Sequence, residues 1–141
     1  MLTGEYQHNI DAKGRIFIPS KFRDDLKERF MLARGLDGCI FVYAMEEWKE
    51  LAEKIKALPM SSTRQVQRFL FSGATEVELD KQGRVVISPK LREHAGLTEA
   101  KSATIIGVSN RAEIWNTERW ENACDSISDE EIAMEMEKLG F

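Results

Sequence analysis

Two stretches of this chain can be laid over one another without a gap, and that property constrains the fold more than any other. Gly4 to Arg23 reads GEYQHNIDAKGRIFIPSKFR, and Gly73 to Arg92 reads GATEVELDKQGRVVISPKLR. At an offset of 69 residues they share Asp11/Asp80, Gly14/Gly83, Arg15/Arg84, Ile18/Ile87, Lys21/Lys90 and Arg23/Arg92. Apolar residues answer apolar residues at Ile10/Leu79, Ile16/Val85, Phe17/Val86 and Phe22/Leu91. A second echo, at an offset of 72, sets Phe41–Trp48 (FVYAMEEW) against Glu113–Trp120 (EIWNTERW). A repeat of this length is one supersecondary unit used twice, each copy burying what the other cannot bury alone. The chain has 141 residues and is 43% apolar. Halves of about 70 residues are marginal by themselves, so a shared core is expected between residues 1–72 and residues 73–141.

Composition excludes several classes of function. No run approaches the roughly 20 apolar residues of a membrane span, and the N-terminus has no signal-peptide layout, so a cytoplasmic protein without membrane contact is expected. Cys39 and Cys124 are too few and too far apart for a disulfide framework or a metal site. Net charge is −4, which argues against a polyanionic partner until its distribution is considered. From Glu113 onward nine acids face only Arg119 and Lys138, leaving the rest of the chain at +3. Lys81 to Arg92 holds four basic residues and no acid. A local basic surface attracts phosphate even on an acidic protein, because the field is screened over about 10 Å.

The expected elements also come in duplicate. Tyr6–Ile10 reads as a strand, Asp11–Arg15 as a tight turn with Gly14 at positive φ, and Arg15–Ile18 as the returning strand. Ser20 is placed to cap a short helix from Lys21 to about Phe30, with Phe22, Leu26 and Phe30 spaced by four. Cys39–Tyr43 is a further strand. Met45–Leu58 is an amphipathic helix ended by Pro59, and Ser62 with Gln65 suggests a capping box for a helix through Phe71. In the second copy Thr75–Leu79 and Val85–Ile87 are strands around the Asp80–Arg84 turn. Ser88 caps a helix with Pro89 at its first position, and Gly96 stops it. Ala103–Val108 and Ala112–Trp115 pair across Ser109-Asn110. Thr117 caps the counterpart of the long helix, and Ser128 with Glu131 caps the acidic segment Asp129–Leu139. Short strands and helices in duplicate predict an α+β domain with a small barrel-like sheet decorated by helices.

The spacing D-x-x-x-R, present as Asp11…Arg15 and Asp80…Arg84, is the sharpest local signal. Aspartate and arginine at the feet of a turn can serve only to brace a hairpin. They can equally hold a guanidinium ready to fork onto a phosphate or a guanine edge, with Lys13 and Lys81 pointing outward. Lys21, Arg23, Lys90 and Arg92 lie beside helix N-termini whose free amides favour anions. One member of each pair can instead cover the core with its stem. Gly14 and Gly83 serve backbone geometry. No enzyme signature emerges: His8 and His94 occupy inequivalent repeat positions, and neither a metal-ligand spacing, a glycine-rich phosphate loop nor a nucleophile elbow is present. No metal or cofactor is expected. Trp48 and Trp120 hold equivalent positions beside apolar helix residues, which suits a core or an interface.

With both D-x-x-x-R motifs, the IFIPSKFR and VVISPKLR segments that follow them and the opening MLTGEYQHNIDAKGRIFIP, the chain resembles the MraZ family of bacterial transcriptional regulators. The resemblance spans essentially the whole sequence. It implies an AbrB-like swapped-hairpin barrel whose two halves come from one chain, carried in ring-like homo-oligomers. It further implies binding of double-stranded DNA at repeated promoter elements, repression of the chain's own promoter and the division and cell-wall gene cluster, and a nucleoid-associated location. Arg15 and Arg84 fall on the motif arginines, and Asp11 and Asp80 on their aspartates. The alternative is a structural or protein-interaction module that uses the same turns to hold an oligomer together.

Overall fold

Alternation shapes the first strand: in β1 (Glu5–Asn9) Tyr6 and His8 are half-buried while their neighbours face solvent. A computed structural model describes residues 1–141. After β1 come β2 (Arg15–Phe17), α1 (Ser20–Leu26), β3 (Arg29–Arg34), β4 (Ile40–Ala44), α2 (Met45–Lys56) and α3 (Met60–Ser72). The second copy supplies β5 (Thr75–Glu78), β6 (Arg84–Val86), α4 (Pro89–His94), β7 (Ser102–Gly107), β8 (Ala112–Asn116), α5 (Thr117–Asp125) and α6 (Asp129–Lys138). No helix is long and apolar enough to cross a membrane.

The copies exchange strands. Six strands form one antiparallel sheet in the order β1-β7-β8-β4-β3-β5, and β2 pairs with β6 in a separate ribbon. The first strand of each copy therefore pairs with the third strand of the other, Tyr6 opposite Ile105 and Val77 opposite Phe30. Within the ribbon Ile16 faces Val85, flanked by Arg15/Val86 and Phe17/Arg84. Between β4 and β8, Phe41 faces Glu113, flanked by Ile40/Ile114 and Val42/Ala112. Both pairings read the same from either copy, so a pseudo-twofold axis runs through the Ile16/Val85 and Phe41/Glu113 pairs. This is the AbrB-like swapped-hairpin, α+β architecture.

The main core lies between the ribbon and the inner face of the sheet. Ile16, Ile18, Phe22, Phe30 and Leu32 meet Val85, Ile87, Leu91 and Ile105 there, all at most 2% exposed. Helices α2, α3 and α5 cover the outer face, where Ala33, Ile55 and Leu70 form one small cluster and Cys39, Ile106 and Trp115 another. The two tryptophans at equivalent repeat positions lie in this layer: Trp48 stands edge-on to Phe71 at 5.9 Å, and Trp120 lies 5.3 Å from Trp115. Glu113 is only 7% exposed; its carboxylate accepts from Arg111 Nε at 2.9 Å and from the Trp115 indole at 3.0 Å. The Arg111 guanidinium lies 4.8 Å from the Phe41 ring centroid, so the two sides of the axis differ in chemistry.

Several expected boundaries move. The helix read from Lys21 to Phe30 ends at Leu26, and Phe30 belongs to β3, where it is fully buried and faces Val77. Its spacing of four from Leu26 imitates a helix, whereas Phe30 and Leu32 bury the same side of a strand at a spacing of two. Ser20 is the first residue of α1 and makes no cap bond, since Pro19 occupies the cap position. In the second copy the swapped order lets Ser88 Oγ accept from the Leu91 amide, with Pro89 at the first helical position, as expected. Helix α2 stops at Lys56, which leaves Leu58 exposed. Ser62 donates to Pro59 O within α3 and forms no capping box. Asn116, not Thr117, caps α5, accepting from Arg119 N. Ser128 caps α6 as expected, accepting from Glu131 N.

Lys27 closes α1 at φ 65°, ψ −163°, a backbone region that side chains other than glycine's absence of one rarely enter. Its repeat partner, after the same offset of 69, is Gly96 at φ 68°. Strain of about 1–3 kcal/mol at such a residue exceeds the roughly 0.5–1 kcal/mol of extra chain entropy that glycine loses on folding. Lys27→Gly is therefore expected to stabilise the fold by about 1 kcal/mol, a thermal shift of a few degrees. A lower melting temperature than the parent's would contradict this.

Candidate nucleic-acid interface

A carboxylate organises each turn. Asp11 Oδ1 accepts from the amides of Lys13 (3.0 Å) and Arg15 (2.9 Å), and Oδ2 accepts from Arg15 Nε at 2.6 Å. The second turn repeats this, with Asp80 Oδ1 accepting from Gln82 N and Arg84 N at 2.9 Å each and Oδ2 from Arg84 Nε at 2.8 Å. Gly14 at φ 80° and Gly83 at φ 82° supply the left-handed step that returns the chain, and each amide donates to the carbonyl of the turn's own aspartate. Only Nε is engaged by the aspartates, and the Nη groups of Arg15 and Arg84 donate to no protein acceptor. Each guanidinium is thus anchored by one edge and presents the other.

The two turns are also tied to one another. Gly14 O accepts from Ile87 N at 2.8 Å, and Gly83 O accepts from Ile18 N at 3.0 Å. Arg92 Nε donates to Ile87 O and Arg23 Nε to Ile18 O, both at 3.0 Å. This sets the Arg92 side chain over Gly14, where an added Cβ would lie 2.7 Å from its Nε, and the Arg23 guanidinium over Gly83 in the same way. The structure therefore joins each D-x-x-x-R turn to the basic residue of the other copy. Arg23 and Arg92 are half-buried packing elements of the turns as well as cations.

The remaining candidates separate. Lys13 and Lys81 are exposed at the turns but are not equivalent, since Lys13 stands where the second copy has Gln82 and Lys81 where the first has Ala12. Lys21 lines a shallow groove with His8 and Phe17, and Lys90 lines another with Arg34, Glu93 and His94. Neither lysine closes on a turn. Sequence reasoning missed Phe17 and Val86, which are 40% and 54% exposed on the outer face of the ribbon beside the two arginines. Their signal was the alternation in RIF and RVV, which sends Ile16 and Val85 inward and both neighbours out. Arg84 lies 5.8 Å from the Phe17 ring centroid.

A profile described as "MraZ protein, putative antitoxin-like" matches the chain twice, over residues 1–69 and 70–139. The chain belongs to the MraZ family. It is 51% identical over 145 residues to the transcriptional regulator MraZ of Acetivibrio thermocellus, with both chains covered completely. It is 52% identical over 145 residues, again with both chains covered completely, to the proteins of that name from Halothermothrix orenii and Caldicellulosiruptor saccharolyticus. Each of the two MraZ matches contains one aspartate-clamped arginine.

The clamp has a pH signature. Donation from the Arg15 amide, then from the Arg15 side chain and the Lys13 amide, holds the Asp11 carboxyl below the ordinary aspartate value of 3.8 against an opposing desolvation. Asp80 is lowered from 3.8 in the same way, first by the Arg84 amide. A depressed folded pKa means that the clamp's contribution is complete above the ordinary value and is lost as pH falls through the depressed one. Carboxyl-carbon NMR titration is expected to place both midpoints below 3.8, with the turns opening only under stronger acid. Midpoints at or above that value would contradict the clamp geometry.

Proposed function

We propose that the chain is a sequence-specific, double-stranded-DNA-binding transcriptional regulator without catalysis, acting as a repressor of its own promoter and of the division and cell-wall gene cluster. The observation that carries this reading is the pair of guanidiniums on one face of a two-stranded ribbon, each held at Nε with its Nη groups free. A major groove admits such a ribbon, and an oriented arginine pairs bidentately with guanine O6 and N7. Arg15 and Arg84 stand diagonally across the ribbon, a placement that separates their Cα atoms by about 7–8 Å. That spacing is about two steps of the roughly 3.4 Å rise along a strand, so the two arginines would address base pairs two steps apart. Lys13, Lys81, Arg23 and Arg92 flank them and would meet phosphates, while Lys21 and Lys90 lie further out as secondary phosphate contacts. The pseudo-twofold axis through Ile16/Val85 matches the local dyad of a duplex.

One subunit offers few phosphate contacts, so several copies in a ring-like homo-oligomer would engage repeated elements together on nucleoid DNA in the cytoplasm. Each neutralised phosphate adds roughly 0.9 to the slope of log affinity against log salt, so binding should weaken steeply with salt. The relatives' printed name, transcriptional regulator, supports the same reading.

Arg15→Ala and Arg84→Ala are expected to lower affinity for a duplex from the chain's own upstream region by more than Lys13→Ala or Lys81→Ala. If the arginines read bases, discrimination between matched and scrambled duplexes should fall by about 1–3 kcal/mol at each position, whereas a phosphate contact would weaken all duplexes alike. The Arg15→Ala/Arg84→Ala double variant should retain the parent's oligomeric mass by light scattering. Unchanged DNA binding by all four variants, or collapse of the double variant to folded monomers, would favour the oligomer-bracing module instead.

A further inference from the structure

The internal repeat continues past the region where it is legible as sequence identity. Helix α3 follows α2 after the three residues Ala57–Pro59, and α6 follows α5 after the three residues Ser126–Ser128. At the offset of 69, Thr63, Gln67 and Leu70 of α3 correspond to Ile132, Met136 and Leu139. In α3 these positions face the body of the protein: Thr63 is 5% exposed, Leu70 is 8% exposed and Gln67 is half-buried. In α6 the same positions carry a continuous apolar stripe, yet Ile132 is 46%, Met136 45% and Leu139 76% exposed. Apart from the bonds to its own cap, Ser128, no hydrogen bond or ion pair joins α6 to the body of the chain. A helix with an apolar stripe gains most of its stability from packing that face, so α6 is an element awaiting a surface.

Charge identifies that surface. Helix α6 bears Asp129, Glu130, Glu131, Glu135 and Glu137 against a single Lys138. The face that would receive it by analogy with α3 belongs to α5, which carries Glu118, Glu121 and Asp125; its one cation, Arg119, already donates to Gly38 O and His94 O, so folding back sets mainly acid against acid. Pairing two α6 helices does the same. The exposed side of α3 is different: it carries Arg64 and Arg68, one turn apart, with no acidic residue anywhere in the helix. Neither arginine takes part in an ion pair within the chain. Beside them Leu58 and Met60 are 55% and 63% exposed. Glu131 and Glu135 repeat the one-turn spacing on the flank of the α6 stripe. The only partner of Glu135 within its own chain is Lys138 at 3.6 Å, an exposed pair that contributes little.

We propose that α6 docks on a second copy of this chain, with Ile132, Met136 and Leu139 seated on the Leu58–Met60 end of the α2–α3 hairpin and Glu131 and Glu135 opposite Arg64 and Arg68. The inference rests on the homo-oligomer in the proposed function and specifies its contact. Because the two surfaces differ, the contact is head-to-tail, and such contacts propagate until the rotation closes a ring. Each subunit contributes one donor helix and one acceptor hairpin. The acidic helix then lies against an arginine pair outside the ribbon, leaving the ribbon's cations free for phosphate.

The full chain is compared by sedimentation with Glu131→Arg/Glu135→Arg, with Arg64→Glu/Arg68→Glu and with the fourfold combination, helical content being checked by circular dichroism. Each charge-reversed pair is expected to weaken assembly by about tenfold or more, and the combination is expected to restore it. As a second readout on a Cys124→Ser background, mixed Met60→Cys and Met136→Cys chains should cross-link to each other under mild oxidation. Parent-like assembly in both reversed variants, or no rescue in the combination, overturns the contact while leaving the oligomer intact. Cross-linking of Met136→Cys chains only to themselves, or within one doubly substituted chain, assigns α6 to another surface and overturns it equally. A monomeric parent removes the oligomer itself, and the duplex titration above then judges DNA binding separately.

Discussion

Two backbone hydrogen bonds between the copies, Ile87 N to Gly14 O and Ile18 N to Gly83 O, set the geometry on which the rest of the molecule depends. Each fixes a turn of one copy against the strand end of the other, where the chain bends into α1 or α4. The turn then has little freedom to tilt its aspartate, and the aspartate has little freedom to release its arginine. A side chain on either glycine would collide with the arginine of the other copy that lies above it. The geometry of the two clamped arginines and the closure of the core are therefore one requirement. Ile16 and Val85 sit beneath the same ribbon that carries Arg15 and Arg84 on top.

Strand exchange explains why two short repeats can build such a surface. A lone hairpin of three-residue strands is unstable in water, and a ribbon with one strand from each copy would be no better without its layer of support. Here the ribbon's inner residues complete a core shared with the six-stranded sheet, and the edge strands of that sheet, β1 and β5, lead directly into the ribbon. The guanidiniums are held on a rigid base, so in the proposed function little side-chain entropy would be lost on contact with DNA.

Much of this was legible in the sequence where a signal is local. The two D-x-x-G-R turns, the Ser88-Pro89 helix start, the stop at Gly96 and the Ser128 cap each depend on residues within a few positions of one another, and all stand where they were expected. Strand β3 was not legible, because Phe22, Leu26 and Phe30 share a helical spacing and Met, Leu, Ala and Arg are good helix formers. Only pairing with β4 and β5 makes that segment a strand. The candidate site divides in the same way. The aspartate–arginine clamps follow from spacing, whereas the seating of Arg23 on Gly83 and of Arg92 on Gly14 joins residues some 60–80 positions apart and leaves no local trace.

The Phe41/Glu113 pair on the pseudo-twofold axis shows what fusing two copies into one chain permits. A dimer of identical 70-residue halves would have to place the same residue on both sides of its axis. With glutamate there, two carboxylates would share one poorly hydrated contact; with phenylalanine, neither arginine nor indole would find its acceptor. Covalent tandem linkage removes that restriction, so one side keeps an aromatic ring and the other a carboxylate held by Arg111 and Trp115. The halves have become complementary in the way of a heterodimer, encoded at fixed stoichiometry, and neither could now stand in for the other. That freedom to diverge extends to the outer helices, where one copy closes upon itself and the other ends in an unpaired arm.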